Sequence, residues 1–428
     1  MNQQSAPEPN ASAVATRSRP SPYAWLVLAL VFSLLLSDYM SRQVLNAVYP
    51  LLKTDWSLSD TQLGWLSGVV ALAVGLLTIP LSFLADRIGR VRAIGAMAIL
   101  WSLATLLCAL AQDYGQLLGA RLLVGAGEAA YGGVGLALLL SVFPVRMRGT
   151  VSALFIAGAI TGQVLGVGLG GLIAARWNWR AAFAAMGLAG LVLSAIFLTK
   201  IRPERVALAA EKLEHLGEPS GKASASNIVG IVRNQPLMYA CLAGGFQFYI
   251  TGALPAWLPT YFVRYHFFDL DAATSLASLY LLLSGLGMVF WGHMSDRLAG
   301  GDLTSRARHA AGFCLASACC LALAFQLPAG SIQMIALAAG MFLSACTTGP
   351  CSALVSGWSS PQMLATALAL MSLCFSLVGL APGPILTGAI ADRIGLLGAF
   401  QFLPIASLIA AALLAYAAHI SVLSSNED

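Results

Sequence analysis

The stretch Ser82-Phe83-Leu84-Ala85-Asp86-Arg87-Ile88-Gly89-Arg90-Val91-Arg92 packs its charges into seven positions, and apolar runs flank it near 61–85 and 93–112. Each run is long enough to cross a bilayer as a helix, which takes about 20 apolar residues, so the charged stretch reads as a loop between two spans. The rest of the chain extends this pattern. Asp, Glu, Lys and Arg make up 10% of its 428 residues, and residues of the AVILMFWYC set make up 58%. A soluble domain carries about 25% charged residues and needs them to cover its surface, whereas disorder requires low hydrophobicity. Neither class fits. Twelve apolar runs lie near 23–50, 61–85, 93–112, 116–143, 150–175, 181–199, 237–262, 273–295, 309–327, 331–357, 363–390 and 398–420. The expected fold class is an all-α membrane protein, with twelve transmembrane helices in two six-helix bundles.

The polar segments set the organisation: a disordered N-terminus (1–22), a first bundle (23–199), a linker (200–236), a second bundle (237–420) and a tail (421–428). With the N-terminus inside, sixteen Lys and Arg fall in segments on one side and five, Lys53, Arg176, Arg180, Arg264 and Arg393, on the other. That bias obeys the positive-inside rule. It predicts cytoplasmic termini and a multi-pass protein of the cell (inner) membrane. The net charge of +5 signals no nucleic-acid partner, because the basic residues sit in loops on that one side. Asp296-Arg297 follows span 8 as Asp86-Arg87 follows span 2, 210 residues earlier. Weak internal repetition of this kind marks transporters built from two related bundles, with substrate near the midplane.

Span 5 carries Gly158, Gly162, Gly166 and Gly170, a small-residue ladder that permits close helix approach in lipid. It reads either as static packing or as a seam along which the bundles rock. In span 11, Pro382 and Pro384 remove backbone donors and predict a kinked or unwound helix. The eight cysteines read as buried packing residues, with no metal-binding spacing. Trp177 and Trp179 read as interfacial belt residues.

Ionisable residues well inside spans are Asp38, Arg42, Arg121 and Glu128. A charge at the bilayer centre costs about 2.5–3.5 kcal/mol, so such groups face a bundle interior and pair. Asp38 and Arg42 share one face of span 1, and Arg121 and Glu128 share one face of span 4. Protonation of a carboxyl there toggles whether an arginine is free to hold an anion. The second bundle offers Gln247, Tyr249 and Trp257 in span 7, Thr347 in span 10 and Ser372 in span 11 as polar or aromatic contacts. A charged half facing a polar-aromatic half suits an amphiphilic substrate with one anionic end.

At these residues the chain resembles the major facilitator superfamily, with both termini cytoplasmic. The loop 82–92 resembles that family's signature between spans 2 and 3, with Ser82 where glycine is usual. The resemblance implies a conformational latch of Asp86, Arg87, Arg90, Asp296 and Arg297 that holds the cytoplasmic ends together in an outward-open state. Tyr39-Met40-Ser41-Arg42-Gln43, Ser59-Asp60-Thr61-Gln62-Leu63-Gly64, Arg121 with Glu128 seven residues on, and Trp257-Leu258-Pro259-Thr260-Tyr261 are most similar to the spinster-like branch and the neighbouring anion:cation symporters. This implies proton coupling at Glu128, with Asp38 one turn before Ser41, where relatives place Asp. It also implies substrate contacts from Arg42 and Arg121, extended to Ser41 and Tyr131.

The expected function is therefore secondary active transport by a rocker-switch, with protons as the coupling ion and no cofactor or metal. The expected substrate is an anionic amphiphile of lysophospholipid or sphingoid-lipid type; the alternative is proton symport of small organic carboxylates. An intramembrane enzyme is not expected, because no nucleophile–base or metal constellation lies in the spans. The expected partners are the lipid bilayer, the substrate and protons, with the protein a monomer.

Overall fold

The computed structural model describes residues 20–214, 234–360 and 363–425. Most of the 200–236 linker, the first nineteen residues and the last three lie outside them. Twelve helices long and apolar enough to cross a membrane are described: spans 1 (Pro22–Trp56), 2 (Asp60–Ile88), 3 (Arg90–Leu110), 4 (Tyr114–Val142), 5 (Val145–Arg176), 6 (Trp179–Lys200), 7 (Gln235–Tyr265), 8 (Leu270–Ala299), 9 (Leu303–Gln326), 10 (Ser331–Trp358), 11 (Thr366–Gln401) and 12 (Leu403–Leu423). A helix satisfies its own backbone, which lipid cannot do. Side chains supply the missing partners at several starts. Ser21 accepts from the Ala24 amide, Asn178 accepts from Ala181, and Ser59 with Gln62 forms a capping box on span 2. A short helix, Pro203–Glu214, follows span 6.

Spans 1 and 5, 3 and 6, and 3 and 4 pack together in the first half; spans 9 and 12, 7 and 12, and 9 and 10 do so in the second. The halves meet chiefly through span 2 on span 11, span 5 on span 8, and span 1 on span 7. Twelve spans put residues 22 and 425 at one end of the bundle, the termini end, and the turns 57–59, 266–269 and 402 at the far end.

One open reading is decided, in favour of static packing, and two expectations change. The glycine ladder of span 5 faces span 1 of its own half: a Cβ on Gly162 would stand 2.6 Å from the Leu36 carbonyl oxygen, and one on Gly166 2.9 Å from Met40. It is a static joint, and the seam between halves runs along the other side of span 5, where Gly171 meets Thr274. Trp179 is not a belt residue: it is 1% exposed, and its Nε1 donates to Asp55 at 2.8 Å, while Trp177 alone stays exposed. Of the cysteines, Cys319 is exposed and Cys320 half-buried, because they lie on the outer side of span 9.

Spans 4, 10 and 11 are interrupted. Span 4 breaks at Ala129-Ala130, immediately after Glu128, and Thr78 Oγ1 of span 2 donates to the Ala129 carbonyl at 2.7 Å. Span 10 breaks at Ala345–Thr347. Span 11 widens into a π-turn over Phe375–Leu380, directly before the prolines that were expected to distort it.

Candidate functional site

Where spans 1, 4, 5, 7, 8 and 10 approach at mid-depth they line a cavity of about 300 Å³. Its wall is mainly apolar, with Leu35, Phe155, Phe248 and Leu281 among its members, and Tyr39, Gln163, Thr251, Ser284 and Thr348 supply its polar atoms. Arg42 stands beside this wall, its guanidinium 5.3 Å from the centre of the Tyr39 ring. Its Nε and Nη2 both donate to Glu128 Oε2, at 2.9 and 2.5 Å. The pair ties span 1 to span 4 at the break that follows Glu128.

The partner oxygen, Glu128 Oε1, is buried without a hydrogen bond, and so is Oδ1 of Asp38. Asp38 is 4% exposed and interacts electrostatically with both Glu128 and Arg42. Two buried carboxyls therefore share one neighbouring guanidinium. Arg121 is turned elsewhere. It is fully buried and donates to three carbonyl oxygens, those of Leu66 (3.2 Å), Ser41 (3.1 Å) and Arg42 (3.1 Å). The four charges expected in one cavity are thus split: three cluster, and the fourth braces spans 1 and 2.

Other expected contacts also point away from the cavity. Tyr131 donates to the Val31 carbonyl at 2.7 Å inside the first half. Gln247 donates to Ser317 and to the Ser344 carbonyl, and accepts from Ser407, inside the second half. Trp257 donates to the Pro384 carbonyl at 3.1 Å and packs on Tyr49 at 5.0 Å, where the halves meet. Tyr249 lies 3.5 Å from Thr387, Thr347 is buried with its hydroxyl unpaired, and Ser372 is exposed. Ser41 is buried with its own hydroxyl unpaired. None of these residues lines the cavity, whereas Thr348, next to Thr347, does.

The halves close on each other at the far end. Asp60, 3% exposed, takes both arms of Arg264 from the second half at 2.7 and 2.8 Å, and Lys53 at 2.6 Å. Asp392 of span 11 reaches across to the start of span 2, accepting from the amides of Asp60 (2.7 Å) and Thr61 (2.8 Å) and from the Thr61 hydroxyl (2.6 Å). The carboxylate sits where a helix N-terminus presents free N–H groups. At the termini end the expected latch residues stay in their own halves. Asp296 pairs with Arg306, Arg90 donates to the Ala137 carbonyl, and Asp86, Arg87 and Arg297 are exposed.

This far-end clasp was missed in the sequence, although a signal for it exists. Ala-Asp-Arg-Ile-Gly occurs twice, at 85–89 and 391–395, once at each end of the membrane bundle. Both copies end on a glycine with positive φ, 88° at Gly89 and 81° at Gly395, which lets the helix turn after its charged pair.

The Major Facilitator Superfamily model matches residues 31–325 and 268–423. Among curated proteins, the chain is 25% identical over 282 residues to the probable L-galactonate transporter of Escherichia coli (strain K12), covering 64% of this chain and 62% of that one. It is 26% identical over 385 residues to the gallate transporter of Pseudomonas putida, covering 83% of each. It is 26% identical over 238 residues to protein spinster of Drosophila melanogaster, covering 55% of this chain and 38% of that one. The matched part thus spans less than two thirds of the first and third of these relatives. Among solved structures, a bacterial homologue of the human lysosomal transporter spinster, in an inward-facing and unoccupied conformation, superposes with a TM-score of 0.81 at 20% identity, over 94% of this chain and 98% of that one. At that identity the likeness speaks for the fold.

Proposed function

Since this chain belongs to the Major Facilitator Superfamily, we propose that it is a secondary transporter that moves an organic anion together with a proton. The observation that carries this reading is the Arg42–Glu128 pair beside an apolar cavity. Breaking a buried ion pair by removing one partner's charge costs about 3–5 kcal/mol. With Asp38 neutral, protonating Glu128 alone leaves Arg42 uncompensated, and an anion alone leaves Glu128 uncompensated. Binding both restores neutrality, so proton and anion favour each other's binding. Burial of Asp38 beside the pair supports its passing or sharing that proton.

Symport of one monoanion with one proton moves no net charge. A pH gradient therefore drives it at about 1.4 kcal/mol per unit. With the termini on the cytoplasmic side, the Asp60–Arg264–Asp392 clasp closes the outward side.

The substrate favoured is a small acid with an apolar or aromatic body. The cavity, about 300 Å³, is at the lower limit of ligand pockets, roughly 300–1,000 Å³. The curated gallate transporter supports an aromatic acid, and the probable L-galactonate transporter supports a small organic acid more generally. A lysophospholipid or sphingoid lipid is the second reading, favoured by the apolar wall and the similarity to spinster.

The test is uptake into proteoliposomes under an imposed pH gradient, with small organic acids in one arm and lysolipids in the other. Glu128→Gln is expected to abolish accumulation while retaining exchange. Full accumulation by that variant would remove Glu128 from the coupling role, and uptake confined to lysolipids would replace the small-acid reading.

A further inference from the structure

Span 4 is packed tightly up to Glu128 and loosely after it. A Cβ on Gly125 would stand 2.7 Å from the Val70 carbonyl oxygen of span 2, and one on Gly127 2.7 Å from the Trp101 amide nitrogen of span 3. Beyond the break, a Cβ on Gly132 or Gly133 would meet nothing within 4 Å. Glu128 thus stands at the last supported position, and it rests on Arg42 through Oε2 alone, its Oε1 being unpartnered. A pair held through one oxygen tolerates little displacement.

A hydroxyl holds the break in place. Ala129 lies where the helical ladder is interrupted, and its carbonyl accepts from Thr78 Oγ1 at 2.7 Å. Span 2 delivers that hydroxyl: Thr78 Oγ1 also bonds back to the Val74 carbonyl, and Pro80 lacks the amide that would continue the ladder. Both features bend a helix. The Val74 carbonyl is already served by the ladder, so the hydroxyl matters most to Ala129. Tyr131, past the break, is tied to Val31 and fixes the next segment. Span 10, the broken helix of the other half, is pinned more heavily. The Ser344 carbonyl beside its break accepts from Gln247 (3.0 Å) and Thr251 (3.3 Å), and the Ser344 hydroxyl lies 2.7 Å from that of Ser284.

We propose that Thr78 is a positioning residue for proton coupling: its hydroxyl fixes the break in span 4 and so holds the Glu128 carboxylate against Arg42. The proposal rests on the proton–anion reading above and adds to it the residue that sets how firmly the pair is held. Among the described residues, Asp38, Tyr39 and Arg42 of span 1 and Arg121 of span 4 act electrostatically on Glu128. Spans 2 and 3 meet this part of span 4 with Val70, Thr78 and Trp101, which carry no charge.

Purified wild type, Thr78→Val and Thr78→Ser in nanodiscs are titrated by infrared difference spectroscopy, the carboxyl band lost in Glu128→Gln being that of Glu128. Valine fills the space without the hydroxyl, and serine keeps the hydroxyl. Thr78→Val is expected to move the midpoint of that band to higher pH by up to about one pH unit, because a looser grip by Arg42 leaves the carboxylate easier to protonate. Thr78→Ser is expected to titrate as the wild type does. In an Arg42→Ala background the shift should vanish, since the pair through which Thr78 acts is gone. Thr78→Ala, also without a hydroxyl, takes the place of a valine variant that does not fold. An unmoved midpoint in the hydroxyl-free variant, with or without a lower melting temperature, overturns the proposal. So does an equal shift in Thr78→Ser, or a full shift that persists without Arg42. A Glu128 band that titrates at no pH at which the wild type stays folded overturns the proton–anion reading with it.

Discussion

Replacing Asp392 by alanine cuts the three hydrogen bonds, 2.6 to 2.8 Å long, that hold the far end of span 11 against the first turn of span 2. The side chain is exposed and span 2 keeps its own capping box from Ser59 and Gln62, so the folded bundle should tolerate the loss. What weakens is the closed far end. A capping side chain contributes about 1 kcal/mol, and a carboxylate against a helix dipole adds about 0.3–1 kcal/mol. A loss of about 1.5 kcal/mol multiplies the population open at the far end by roughly tenfold. Asp60→Asn should do more, because it discharges the buried acceptor of Arg264 and Lys53. Hydrogen bonds to charged groups contribute about 1.5–3 kcal/mol, and at about 2 kcal/mol the shift is roughly thirtyfold. Spin labels at the exposed positions Thr54 and Phe267 read the separation of the halves at that end. The distance distribution in nanodiscs should gain a long component in both variants, larger in Asp60→Asn. Unchanged distributions, or a lower melting temperature with unchanged distributions, would refute the argument, since the bonds would then stabilise the fold and not one of its states.

The glycines separate packing from movement. Gly64→Ala places a Cβ 2.4 Å from the Pro384 carbonyl of the other half and should favour the far-end-open state in the same spin-label assay. Gly162→Ala meets Leu36 of its own half and should lower the melting temperature, at about 1–3 kcal/mol of overpacking, with no change in populations. Arg42→Ala should weaken anionic ligands at least tenfold while leaving neutral analogues alone, as read by titration of purified protein; equal weakening of both would make Arg42 purely structural. Arg121→Lys leaves buried carbonyls without donors and should cost about 3 kcal/mol in stability, with anion affinity unaltered in the folded fraction. A selective loss of anion affinity in that variant would return Arg121 to the binding site. Uptake should also be indifferent to an imposed membrane potential at fixed pH gradient, and a voltage-dependent rate would point to unequal numbers of protons and anion charges.

The sequence by itself determined the spans and the proton–anion candidates. A helix in lipid must satisfy its own backbone, so its length and hydropathy are written locally. A charge inside an apolar run is costly wherever it points, so Asp38, Arg42 and Glu128 stood out before any packing was known. Helical spacing also placed the glycine ladder on one face. It left open which neighbour that face meets, because periodicity says nothing of a helix's rotation against other helices. Tertiary structure alone decided that the ladder lies on span 1, that Arg121 turns to backbone carbonyls and that Trp179 is buried on Asp55. The far-end clasp depended most on it. Asp60, Arg264 and Asp392 are more than a hundred residues apart, each ordinary for a span end, and they acquire a role only when the two halves tilt together there.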